Sequence, residues 1–221
     1  MSQHPTQPPA EPSFVTSMEA VNALLQLQLS TSPVGLAPCT PLQMREDMDL
    51  FTTWHLKQLR KVMPDEAQGK LIAAAFDCIA QTLVALPMVY VHSDARLGPV
   101  TSGIARLTRD PNQPWAEDFC LDITIRYWEK ARKAGLPVGD DFGEFYRGVE
   151  WTGLQQHLTQ AGQCAKQTVQ SGEPHHVDAT PQLIGHIRHT CHRYRELRPF
   201  ARLVETLEGI QVAQSYAFGR T

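Results

Sequence analysis

Apolar positions Met18, Val21, Leu25 and Leu29 recur at helical spacing, and Thr16 with Glu19 forms a T-x-x-E capping box. A helix is therefore predicted over about 16–29. STSPVGLAPC reads as a loop. Thr40, Pro41 and Gln43 then supply an N-cap, a proline at the first helical position and a glutamine two residues on. The helix they start carries Leu50, Phe51, Trp54, Leu59 and Val62 before Pro64 stops it. Asp65 caps another through LIAAAFDCIAQTLVAL, closed by Pro87. MVYVH, rich in β-formers, is the one strand predicted. Helices follow at about 99–109, 115–134, 141–170, 180–194 and 197–208, separated by Gly135, Gly172 and Pro174.

The pattern predicts a mainly α protein with very little sheet. At 221 residues the chain can bury a real core, and 42% hydrophobic with 19% charged residues describes an ordinary soluble protein. A net charge of -3 gives no electrostatic case for nucleic acid or an anionic membrane. Cys39, Cys78, Cys120, Cys164 and Cys191 are scattered, without a CxxC pair, and read as reduced thiols. The apolar stretch from Leu71 to Val91 is broken by Asp77, Gln81, Thr82 and Pro87, against a membrane span. Residues 1–15, without basic or apolar targeting regions, are expected to be a disordered leader. Residues 16–209 are expected to form the folded lobe and 210–221 a tail, in a cytoplasmic protein.

Several conspicuous groups have ordinary explanations. Asp141-Phe142-Gly143 spells a kinase-like DFG, but after Gly139 and Asp140 it opens a helix, where a carboxylate caps free N–H groups. His175, His176, His186, His189 and His192 lie near Cys191, yet the spacing is not H-E-x-x-H and no acidic residue intervenes within the helical triplet. They read as surface histidines, and no metal ligands are assigned. Trp54, Trp115, Trp128 and Trp151 read as core residues, as do Met44 and Met48.

The order of segments carries a resemblance. DLFTTWHLKQL, PMVYVH, DARLGPVTSGIARLTRD, FCLDITIRYWEKARKAGLP, FYRGVEWTGLQQHL, SGEPHHVDATPQLIGHI and RYRELRPFARLVETLEG follow one another between about Leu24 and Gly209. Together they resemble the C-terminal lobe of the aminoglycoside phosphotransferase/choline kinase-like family. They look closest to its bacterial branch of N-acetylmuramate/N-acetylglucosamine anomeric kinases. The resemblance implies a helical lobe of a protein-kinase-like fold, an amino-sugar acceptor, and ATP with Mg²⁺. It also implies an H-x-D-x-x-x-x-N catalytic loop, a later metal-binding Asp, and an N-terminal lobe with a lysine for the nucleotide phosphates. Glu150, Trp151 and His157 fall on the helix that lines the acceptor pocket in this family.

The catalytic parts are incomplete. His92 and Asp94 match H-x-D, but Pro99 stands where the Asn belongs, and the asparagines of the chain are Asn22 and Asn112. Asp94-Ala95, followed by Gly98-Pro99-Val100-Thr101, equally matches the end of the metal-binding segment and its downstream helix. One carboxylate cannot fill both positions. The intervening residues are missing, so His92 and Asp94 are remnants. No lysine precedes Lys57, and the residues that would bind ATP and Mg²⁺ are not found.

In LQQHLTQAGQCAKQ, Gln156 and Thr159 replace basic residues of the family pattern, while Gln160, Gln163, Cys164 and Gln167 replace apolar ones. Buried without partners, such amides cost on the order of 1–3 kcal/mol each. Either this helix face meets solvent or its packing has relaxed. The expected protein is a truncated, catalytically impaired sugar-kinase relative. The alternatives are a pseudokinase binding an amino sugar or a partner, self-association through core surface uncovered by a lost N-lobe, and a degraded gene product.

Overall fold

The computed structural model describes residues 13–31, 35–91, 96–111, 115–173 and 179–210. Among these, helices α1 (Phe14–Ser30) and α2 (Pro41–Leu50), a π segment (Phe51–Leu59) and α3 (Glu66–Val84) precede strands β1 (Met88–Val91) and β2 (Arg96–Pro99). Helices α4 (Ser102–Thr108), α5 (Glu117–Lys133), α6 (Phe142–Ser171), α7 (Thr180–Arg193) and α8 (Arg198–Glu208) follow. The mainly helical class is as expected. No helix among the described residues is long and apolar enough to cross a membrane.

Local side-chain chemistry sets the helix starts. Thr40 and Gln43 bond each other's backbone N–H reciprocally, at 3.2 and 3.0 Å, closing a capping box ahead of α2. Asp65 and Gln68 do the same ahead of α3, at 2.8 and 2.9 Å. Asp141 Oδ1 accepts from the Glu144 N–H at 3.1 Å, so the DFG-like triplet is a helix cap. α1 departs from expectation: Ser13, not Thr16, is its cap, and Ser13 Oγ accepts from the Thr16 N–H at 3.2 Å. Gly135 ends α5 in the left-handed region at φ 83°, with Leu136 N–H returning to Ala131 O at 2.9 Å.

Two further elements differ from the sequence expectation. β1 does not stand alone: β2 pairs with it antiparallel, Met88 opposite Pro99 and Val91 opposite Arg96. RLGP conceals a strand because it contains two poor strand formers. Gly98 is required there, since a Cβ would come within 2.8 Å of Val91 Cγ2. The helix expected to continue from Pro41 instead passes at Leu50 into the π segment, where Arg60 N–H reaches back five residues to His55 O at 2.9 Å.

The chain divides into two compact units, residues 1–45 with 79–156, and residues 46–78 with 157–221. The core of the first holds Val21, Leu25, Val89, Ile104, Ile123, Tyr127, Phe145 and Val149, all buried. α1 buries Ser17, Val21, Leu25 and Gln28 along one face, and Tyr127 donates to Gln28 Oε1 at 2.7 Å. Met48, Phe51, Leu56, Phe76, Leu183, Ile187, Phe200 and Val204 are buried in the second unit. There Phe76 meets Phe200 edge-on at 5.7 Å.

The helix face spanning residues 154–167 resolves one of the alternatives. Leu154, Leu158, Ala161 and Ala165 are buried, whereas Gln163 and Gln167 are exposed. Gln156 Nε2 donates to Ser102 O at 3.2 Å. The amides therefore meet solvent or a partner, and relaxed packing need not be invoked for them.

Candidate functional site

The stretch that drew attention in the sequence is a β-hairpin. Its strands close at the Val91–Arg96 pair. His92 and Asp94, which the sequence matches to H-x-D, fall among the four residues between that pair and lie outside the described residues. Pro99, five positions beyond Asp94, is the last residue of β2 opposite Met88. A proline offers no side-chain ligand, and this one is occupied in strand pairing. β2 is paired on its other side as well: Cys39 N–H donates to Leu97 O at 2.8 Å, and Leu97 N–H to Ala37 O at 3.1 Å.

Glu150 and Trp151 sit side by side on α6 in the first unit. Trp151 is fully buried and Glu150 is 3% exposed. The Arg147 guanidinium lies over the Trp151 ring at 5.0 Å, which gives that indole a packing role with a cation on its face. Glu150 belongs to a polar network that the sequence did not suggest. Arg109 Nη1 donates to Glu117 Oε2 at 3.1 Å and Nη2 to the Tyr146 hydroxyl at 2.6 Å. That hydroxyl donates in turn to Glu117 Oε1 at 2.8 Å. Glu150 Oε1 stands 3.7 Å from Arg109 Nη2. Burial opposes the Arg109 charge, but Tyr146, Glu117 and Glu150 outweigh it and hold the guanidinium above its usual range. Burial likewise pushes the Tyr146 hydroxyl up to about 12; Arg109 opposes this rise and Glu117 adds to it.

His157 lies in the second unit. Its buried ring stacks on His186 of α7, with centroids 5.0 Å apart. The histidine-rich region is divided rather than clustered. His189 is exposed, His192 Nε2 meets Glu205 Oε1 at 2.9 Å, and His175 and His176 lie outside the described residues. Arg188 donates to the same Glu205 oxygen from Nε and Nη2, at 3.0 and 2.6 Å. Among the described residues no group of three His, Cys, Asp or Glu is placed to hold a metal ion.

Comparison with known proteins gives these positions a context. No protein-family model matches the chain. It is 33% identical to the N-acetylmuramate/N-acetylglucosamine kinase of Neisseria meningitidis serogroup B, over 91% of this chain and 66% of that one. Proteins of the same name from Pseudomonas putida and Pseudomonas aeruginosa are 25% and 26% identical, each over 62% of its own length. The chain is similar to proteins named as sugar kinases. It spans a little under two thirds of the length of the curated relatives it matches.

Sequence reasoning named Glu150, Trp151 and His157 but missed their neighbours. Arg109, Tyr146 and Glu117 are separated from Glu150 by as much as a whole helix, and no local motif joins them.

Proposed function

We propose that this chain is a helical lobe of the aminoglycoside phosphotransferase type that does not transfer phosphate by itself. The observation that carries this is internal to the chain. Val91 and Arg96 are paired across the hairpin, and only four residues connect them. An H-x-D-x-x-x-x-N loop needs its Asn five residues after the Asp to hold Mg²⁺. Here that position is Pro99, inside β2. The residues present do not fit a Mg²⁺–nucleotide complex. His92 and Asp94 are what remain of the loop.

The test is phosphoryl transfer by the purified chain supplied with ATP, Mg²⁺ and either N-acetylmuramate or N-acetylglucosamine. No turnover above background is expected, and Asp94→Asn changes nothing. Turnover that Asp94→Asn abolishes would overturn the proposal.

A second reading is that the lobe still binds an amino sugar without phosphorylating it. It is supported by the sugar kinases to which the chain is similar. In this reading Glu150 and His157 supply polar contacts, and Trp151 stiffens the helix from within. Isothermal titration with both sugars tests it, and heat exchange with neither would sink it.

A further inference from the structure

The π segment, Phe51–Leu59, runs for nine residues, although such winding is usually confined to a single turn. The segment is costly in itself. Its Thr52 Oγ1 and His55 Nδ1 are buried without a hydrogen-bond partner among the described residues. The chain leaves it through Lys61 at φ 59°, a left-handed backbone that a residue with a Cβ rarely adopts. What holds the winding lies outside it, within the same unit. At its start, the Leu50 backbone sits against Gly162 of α6, where a Cβ would find no room. At its end, Glu208 of α8 takes two partners. Glu208 Oε1 accepts from His55 Nε2 at 2.7 Å, and Oε2 meets Arg60 Nε at 3.2 Å. Arg60 Nη2 also donates to Glu208 O at 3.1 Å.

His55 and Arg60 are five residues apart, and that spacing decides which winding Glu208 favours. On an α-helix they would stand about 140° apart around the axis, diverging from any single carboxylate. In the π winding the Arg60 N–H bonds to His55 O at 2.9 Å, which stacks the two residues one turn apart on the side facing Glu208. We propose that residues 51–59 are a two-state conformational element, held in the π winding by Glu208 and rewound to α when that carboxylate lets go. Trp54 carries the change outward. It is half-buried, with Lys166 Nζ 5.7 Å from its ring centre, and rewinding from a fixed Leu50 turns it away from that cation. The end of α8 thereby governs how far one aromatic ring is exposed.

Nuclear magnetic resonance of the isotope-labelled full chain tests this, because coupling across a hydrogen bond names the carbonyl that each amide uses. In the parent chain the amide of residue 60 is expected to couple to the His55 carbonyl. In Glu208→Ala it should couple instead to the Leu56 carbonyl, four residues back. The Trp54 indole resonance should move with it, while those of Trp115 and Trp128 in the first unit stay in place. Arg60→Ala removes a side chain that is 44% exposed and leaves His55 on Glu208, so both couplings should be seen in one sample. If Glu208→Ala fails to fold, Arg60→Ala decides by itself. Coupling to His55 alone in the folded variants, or to Leu56 in the parent chain, would overturn the proposal.

Discussion

The two units solve the problem of buried polar groups in different ways. The first uses mainly neutral partners: Tyr127 with Gln28, the Thr101 and Thr152 hydroxyls at 2.6 Å, and Cys120 Sγ with Thr108 O at 3.1 Å. Its charged exception is the Arg109 network. The second joins carboxylates to basic side chains across sequence, Glu208 to His55 and Arg60, and Glu205 to Arg188. Hydroxyl pairs are insensitive to pH in the ordinary range, whereas carboxylate–cation pairs are lost when the carboxylate is protonated. The difference assigns each unit its own weak side of the pH scale.

The most damaging single change should be at a close approach rather than at a charge. A Cβ on Gly162 would overlap the Leu50 backbone, which cannot swing aside. Gly162→Ala is expected to cost about 3 kcal/mol, read by urea denaturation followed at Trp54. In the first unit, Gly148→Ala meets only the side chains of Leu86 and Thr101 at 3.2 Å and should cost about 1 kcal/mol. Equal costs would break the contrast.

Glu205→Gln comes next, at about 2 kcal/mol, because Arg188 and His192 lose the negative charge on their common acceptor; both are partly exposed, which limits the loss. The same carboxylate sets the acid limb. Burial alone would raise its proton affinity, but the bonds from His192 and Arg188 prevail and bring it below its ordinary 4.5. A carboxylate depressed on folding contributes stability that is full above the unfolded value and is lost as pH falls through the folded one. Below about pH 4.5, a single-tryptophan variant retaining Trp54 should therefore report unfolding before one retaining Trp128. Simultaneous loss would contradict the division.

The alkaline limb should run the other way. Burial raises Tyr146 from 10 to about 12 and Cys120 from 9 to about 11, and it raises Tyr127 also. An acid held neutral by folding contributes stability that is complete below its unfolded value and is lost as pH rises through the folded one. The first unit accordingly weakens across about pH 9–12. Burial gives the second unit a counterpart in the Cys191 thiol, so Cys191→Ala sharpens the separation. Tyr127→Phe leaves Gln28 Oε1 without its donor and should cost about 1 kcal/mol. Asp141→Ala, which removes a helix cap, should cost a little less, measured as a shift in urea midpoint.

Helix starts were the most legible feature, because Thr40, Asp65 and Asp141 act on backbone groups within three residues of themselves. Ser13 was missed because Thr16 and Glu19 imitate a capping box one turn further on. β2 was missed because its pairing with β1, rather than its composition, makes it a strand. The π segment has no sequence signature of its own. For the site, position on α6 was legible, but Arg109 beside Glu150 and Glu205 beside His192 depend on how separate helices pack.

The hairpin register also bears on how the lobe tolerates changes in length. Paired strand residues lie about 5 Å apart across an antiparallel ladder, so Val91 and Arg96 present two chain ends already brought together. Joining such ends by a longer segment costs only about 0.6 kcal/mol for each doubling of its length. A longer segment can therefore be inserted at this point at little entropic cost, which makes the join between the two strands the most permissive place in the first unit for a graft.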